Sequence, residues 1–254
     1  MAIPQTPSFD LTGKRALVAG GTSGIGQAAA AALLQAGAFV TIVARNQARL
    51  EEVLTELILA GYNAEGLAGD ITDIEATQDM VKEQDAFDIL VNSAGLARHS
   101  PALETTPDDF DAVNAINVKG AYFLTQAVAQ KLANEDKQGS LINISSQMAH
   151  VGGIDRAVYC GTKHAVEGFT KSMAIEWGPL GIRVNTICPT FIRTPLTEPT
   201  FAQADKREWI ESKIKLGRVG EVEDIMGAVV YLASEASAMV TGTSLLIDGG
   251  WTAG

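Results

Sequence analysis

Short apolar runs rich in Val, Ile and Leu recur along the chain at residues 15–19, 39–44, 64–68, 89–92, 140–145, 182–188 and 244–247, with helical patterns between them. Continuous apolar strands separated by helices predict a parallel sheet covered on both faces, because a one-sided sheet would instead alternate polar and apolar residues. The helices are predicted to begin near Gly24, Asn46, Asp73, Thr106, Arg156, Glu198 and Glu221. Thr72 reads as a cap three residues before Glu75, and Thr106 as a cap before Pro107. The pattern is that of a doubly wound α/β domain with seven parallel strands flanked by helices. No low-complexity linker interrupts it, so one domain is expected over residues 1–254.

Composition removes several partner classes. Thirty acidic residues against 19 basic ones give a net charge of -11, the wrong sign for a surface that neutralises nucleic-acid phosphates or anionic lipid. The near-uncharged stretch 28–44 is mostly alanine and is divided by Gly37, which suits a buried helix and strand better than a membrane span. Two cysteines, Cys160 and Cys188, form neither a disulfide framework nor a CxxC pair, and both read as ordinary buried thiols. Residues 1–9 carry Pro4 and Pro7 and no basic segment ahead of an apolar run, so no secretory signal is visible and a cytoplasmic location is expected.

After the first strand comes Gly20-Gly21-Thr22-Ser23-Gly24-Ile25-Gly26, which leads into an alanine-rich helix. Glycines allow a tight turn and close approach of a pyrophosphate, and the helix N-terminus offers free N–H groups and positive dipole charge. The motif predicts dinucleotide binding through Gly20, Thr22, Ser23, Gly24, Ile25 and Gly26; methyltransferases or simple close packing also use such a turn. A dinucleotide enzyme displays a ribose-reading group at the end of the second strand. Arg45 stands there in place of an acid, and a guanidinium fork suits a 2'-phosphate, so NADP(H) is favoured while NAD(H) remains usable. The alternative for Arg45 is a solvated residue at a helix start. Asp70, closing the third strand, faces an adenine edge or forms a turn before Thr72.

Tyr159 and Lys163 lie four residues apart, on one face of a helix. A phenol with a pKa of ~10 is a poor acid near neutrality, and an ammonium beside it in a partly desolvated pocket would bring it into range. Ser146 follows the fifth strand at its carboxyl end, where ligands bind in open α/β sheets. Its hydroxyl is placed to hold a substrate oxygen while Tyr159 transfers the proton; Ser145 reads as a packing or cofactor contact. A hydrolase built on Ser146 and His150 lacks the G-x-S-x-G elbow.

These motifs together resemble the short-chain dehydrogenase/reductase family over essentially the whole chain. Its TGxxxGxG is met by Gly20, Gly24 and Gly26, with Ala19 where Thr is usual, and its NNAG by Asn92-Ser93-Ala94-Gly95. Its catalytic Asn, Ser, Tyr and Lys are met by Asn117, Ser146, Tyr159 and Lys163, and its PG by Pro189-Thr190. The resemblance implies a Rossmann-type fold and hydride transfer between a nicotinamide and a carbonyl or secondary alcohol. It gives Tyr159 as acid or base, Lys163 as the residue that lowers its pKa and holds the ribose, and Ser146 as the holder of the substrate oxygen. Asn117 would hold a water that leads protons away. Cofactor contacts are implied for Asp70, Ile71, Asn92, Ala94, Gly95, Pro189, Ile192 and Thr194. Substrate loops fall near 95–105, 146–159 and 189–216, and offer Arg98, Gln147, His150 and Arg156 for a small polar substrate such as a sugar, sugar acid, polyol or hydroxy acid. Hydrophobic ketones or 3-oxoacyl thioesters are the alternative, and a non-catalytic dinucleotide-binding regulator is the alternative of another class. No metal is called for. A homotetramer, or a dimer, is implied through helices within 106–134 and 157–177 and through the last strand, with Trp251 either at an interface or packed within the subunit.

Overall fold

The computed structural model describes residues 3–254; Met1 and Ala2 of the N-terminal stretch lie outside them. Seven parallel strands, β1 (Arg15–Ala19), β2 (Phe39–Ala44), β3 (Ala64–Ala68), β4 (Ile89–Asn92), β5 (Gly139–Ile144), β6 (Ile182–Pro189) and β7 (Ser244–Ile247), lie in the order β3-β2-β1-β4-β5-β6-β7. The inner strands β1, β2, β4, β5 and β6 are nearly all buried, which is why they read as unbroken apolar runs. The edge strands β3 and β7 are only half-buried.

Helices α1 (Gly24–Gln35), α2 (Gln47–Leu59) and α3 (Ile74–Glu83) follow the first three strands. Next come α4 (Pro107–Asn114), α5 (Ala121–Asn134), α6 (Ala157–Trp177), α7 (Glu198–Phe201), α8 (Ala204–Lys213) and α9 (Glu223–Ala233). On one face of the sheet Leu33 of α1, Leu50 of α2 and Leu232 of α9 pack with Val18 and Ile42. On the other, Val81 of α3, Leu124 of α5 and Met173 of α6 pack with Leu17 and Leu90.

Local chemistry departs from expectation at two points, the cap of α3 and the helix after Thr106. The cap of α3 is Asp73, whose side chain accepts from the Ala76 N–H at 3.1 Å, because the Thr72 hydroxyl is drawn back to Asp70 at 2.8 Å. The long helical pattern after Thr106, which caps α4 as predicted, contains a π-helical turn at Ala115–Gly120. Trp251 packs within the subunit, stacked on Phe191 at 5.7 Å and edge-on to Trp209 at 5.6 Å.

Sheet order reverses between β1 and β4, and the crevice beyond their carboxyl ends is where open α/β sheets bind ligands. Residues following β1, β4, β5 and β6 line a cavity of about 450 Å³ there. Among the described residues no helix is long and apolar enough to cross a membrane.

Candidate active site

One end of the cavity is made by backbone. Gly20 takes φ +75° and its N–H donates to the Val43 carbonyl at 2.9 Å, bending the chain sharply out of β1. A Cβ on Gly26 would fall 2.2 Å from the Gly20 carbonyl oxygen, so the turn closes this tightly only around glycine. Ser23 stands at the N-cap of α1 with no side-chain cap, and no acid occupies the first turn. The first-turn N–H groups are therefore left for another acceptor. Gly20, Ser23, Gly24 and Ile25 line the cavity together with Pro189 and Ile192, and Thr194 stands against Gly24. A pyrophosphate fits this cradle in shape and charge.

Thr22 and Gly26 belong to the turn but not to the cavity wall. Asn92 is turned inward, its amide donating to the Asn143 side chain at 3.1 Å and its oxygen accepting from Ala94 N at 3.3 Å. Ile71 is buried against Gly120, while Gly95 lines the cavity. Arg45 lies outside it, exposed and 3.9 Å from the Asp70 carboxylate. Asp70 forms the turn, accepting from the Thr72 N–H and hydroxyl at 2.9 and 2.8 Å.

The other end is built by side chains. Ser146 caps the short 3-10 turn Gln147–Ala149, its oxygen accepting from Met148 N at 3.1 Å, which leaves the hydroxyl proton free to donate. Tyr159, in the first turn of α6, lies at the cavity wall beside Ser146. Burial pushes its phenol above the ordinary value, and the Ser146 hydroxyl and the Arg156 guanidinium pull it back. Lys163, one helical turn on, is buried; its Nζ donates to the Ile144 carbonyl at 2.8 Å and sits 5.6 Å from the Tyr159 ring centre. Burial brings its ammonium down to about 8. The cation that offsets Tyr159's burial here is thus Arg156, while Lys163 is engaged with backbone.

Asn117 sits in the π-turn. Its oxygen accepts from Leu96 N and its amide donates to Leu96 O, both at 2.8 Å, with a further contact to Thr162 Oγ1 at 3.2 Å. A π-turn inserts one residue into the helical register and aims this amide at the loop after β4. The side chain therefore clamps a cavity-lining segment; the water-holding role implied for it would fall to the oxygen's remaining lone pair.

Of the four substrate candidates, Gln147 and Arg156 line the cavity. Arg98 lies outside it, paired with Asp109 at 2.9 Å. His150 is exposed, and its ring comes within 4.8 Å of Glu167 and Cys188. Glu167 is occupied there, accepting from Thr186, Cys188 and Ser244. The cavity also takes in Met148, Phe191, Leu196 and Thr200, which sequence reasoning did not single out. These loop residues carry no periodic signal, and only their position after β5 and β6 points to them.

A family model described as enoyl-(acyl carrier protein) reductase matches residues 19–252. D-erythrulose reductase of Gallus gallus is 37% identical over 245 residues, covering 96% of this chain and 98% of its own. Gluconate 5-dehydrogenase of Gluconobacter oxydans is 36% identical over 248 residues, covering 96% of each. The crystal structure of a gluconate 5-dehydrogenase from Burkholderia cenocepacia, in complex with NADP and tartrate, superposes with a TM-score of 0.92 at 33% identity, covering 97% of this chain and 98% of that one. With the glycine turn, the buried Lys163 and the Ser146–Tyr159 pair at one cavity, the chain belongs to the short-chain dehydrogenase/reductase family of nicotinamide-dependent oxidoreductases.

Proposed function

We propose that the protein is an NADP(H)-preferring oxidoreductase that interconverts a carbonyl and a secondary alcohol on a small polyhydroxylated molecule, such as a sugar, polyol or sugar acid. The observation that carries the substrate class is a set of buried polar atoms without partners. Both amide atoms of Gln147 and the hydroxyls of Ser145 and Thr190 make no hydrogen bond, and all three residues line the cavity. A buried polar atom left unpaired costs about 1–3 kcal/mol, and a ligand hydroxyl that reached one of these atoms, each closed to solvent here, would remove that cost. A hydrophobic ketone would not. The relatives fit this reading, since they act on erythrulose and gluconate and one was solved with NADP.

A nicotinamide cofactor, when bound at the glycine turn, would supply or accept the hydride. Tyr159 gives the proton to the substrate oxygen in reduction and takes it back in oxidation, and Ser146 holds that oxygen with its free hydroxyl proton. Lys163 keeps a positive charge next to Tyr159, and Asn117 fixes the loop through Leu96. Arg45 reads the 2'-phosphate. Four exposed apolar side chains, Ile175 on α6, Leu180 beyond it, Met239 ahead of β7 and Leu246 on β7, support assembly into a homotetramer through the helical and C-terminal faces. A cytoplasmic setting suits the two free, buried cysteines.

Tyr159→Phe is expected to bind NADPH as the parent does and to lose turnover of ketoses by on the order of a hundred- to ten-thousand-fold. Unchanged turnover would overturn the role assigned to Tyr159, and NADPH binding without turnover of any carbonyl by the parent protein would favour a regulator.

A further inference from the structure

The walls of the cavity carry two cations, Arg156 and Lys163, and no Asp or Glu. That is unusual in a chain of net charge -11. The sequence holds nine arginines, and among the described residues seven of them, Arg15, Arg45, Arg49, Arg98, Arg193, Arg207 and Arg218, form an ion pair with a carboxylate. An eighth, Arg183, donates to three backbone carbonyls and the Ser237 hydroxyl. Arg156 has neither arrangement. Its guanidinium makes one hydrogen bond, from Nη1 to His99 Nε2 at 2.7 Å, and stacks over the Phe191 ring at 5.1 Å. The other N–H groups have no protein acceptor among the described residues.

The contacts that Arg156 does make hold it without neutralising it. His99 meets it through a ring nitrogen that accepts, which requires the neutral imidazole, and burial with the neighbouring guanidinium keeps His99 uncharged down to about pH 4. Phe191 supports the planar face and leaves the edge donors open. His99 also packs edge-on against Tyr159, 6.0 Å between ring centres, so the guanidinium is tied to the residue that moves the proton. A half-buried, oriented guanidinium with no carboxylate within ion-pair distance, felt by Asp155 only from beyond it, in a cavity without carboxylates, is placed to receive an anion. A carboxylate matches its fork in a bidentate pair.

We infer that Arg156, held by His99 and Phe191, binds a carboxylate of the substrate, so that the physiological substrates are sugar acids or related hydroxy acids. This rests on the polyhydroxylated-substrate reading above and narrows it: Gln147, Ser145 and Thr190 meet hydroxyls, and Arg156 meets the acid end.

The test compares ketoaldonates with ketoses matched in configuration, such as 5-keto-D-gluconate and L-sorbose, which differ in a terminal carboxylate against a hydroxymethyl group. Initial rates with NADPH are measured for the parent, Arg156→Gln and Arg156→Lys. The parent is expected to favour the acid, and Arg156→Gln to lower the acid-to-ketose ratio of kcat/KM roughly 10- to 100-fold, mainly through KM for the acid. Arg156→Lys should restore part of that ratio, which a merely structural arginine would not do. A parent that prefers ketoses, or a ratio unchanged in Arg156→Gln, overturns the carboxylate assignment while turnover of ketoses leaves the broader reading standing. Turnover of neither set by the parent overturns both.

Discussion

The two ends of the cavity solve recognition by opposite means. At the glycine turn the surface offered to a ligand is backbone: Gly20, Gly26 and the uncapped start of α1 shape a cradle. At the far end the backbone only delivers side chains, and those side chains are left unsatisfied: Gln147, Ser145, Thr190 and most of the Arg156 guanidinium have no protein partner. On the proposed reading, a cofactor shared by many enzymes would meet geometry that a side-chain change hardly alters. A substrate peculiar to one enzyme would meet groups that can be exchanged singly without disturbing the sheet. The difference explains how one fold serves many substrates.

Gly26→Ala strikes the backbone end hardest. The added Cβ would sit 2.2 Å from the Gly20 oxygen, so overpacking should lower stability by about 1–3 kcal/mol and abolish NADPH binding, read by denaturant unfolding and by a fluorescence titration. An intact NADPH affinity would mean that the turn is not the cradle. Arg45 is the one side chain given a reading task at that end. Arg45→Ala should raise KM for NADPH roughly tenfold more than KM for NADH, a modest effect because the residue is exposed and shares its charge with Asp70. Equal changes for both cofactors would break the assignment.

The smallest effect belongs to the substrate end and concerns pH. His99 is held at about 4, below its ordinary 6.5, by burial first and by Arg156 second, with Asp155 opposing them. The unfolded chain therefore takes up a proton at His99 between about pH 6.5 and 4 that the folded protein refuses, and stability is lost as pH falls through that window. His99→Gln, whose carbonyl still accepts from Arg156 and does not titrate, should flatten the fall in Tm between those limits. An identical pH profile in the variant would place the acid sensitivity elsewhere.

Legibility in the sequence follows the same division. The strands and the glycine turn were readable because burial on both faces and positive φ leave few residue types eligible. Tyr159 and Lys163 were readable because the helical period brings residues four apart together. The loops gave less. Arg98, His150 and Arg156 were equal candidates by composition, and only Arg156 reaches the cavity, since Asp109 captures Arg98 and His150 lies near Glu167. No rule of spacing foretells which loop arginine finds a carboxylate. The π-turn at Asn117 was equally hidden, because six residues of altered pitch barely disturb an apolar pattern. At α3, two neighbouring oxygen-bearing residues competed for the cap, and the outcome depended on Asp70 drawing Thr72 away.

We propose that this cavity turns over polyhydroxylated carbonyl compounds through Ser146, Tyr159 and Lys163. This is tested most directly by kcat/KM with NADPH across a panel of ketoses and keto sugar acids set against aryl ketones of similar size. The polyhydroxylated compounds are expected to lead by at least roughly tenfold, because unpaired polar groups in a site penalise analogues that lack their partners. A clear preference for the aryl ketones would contradict it.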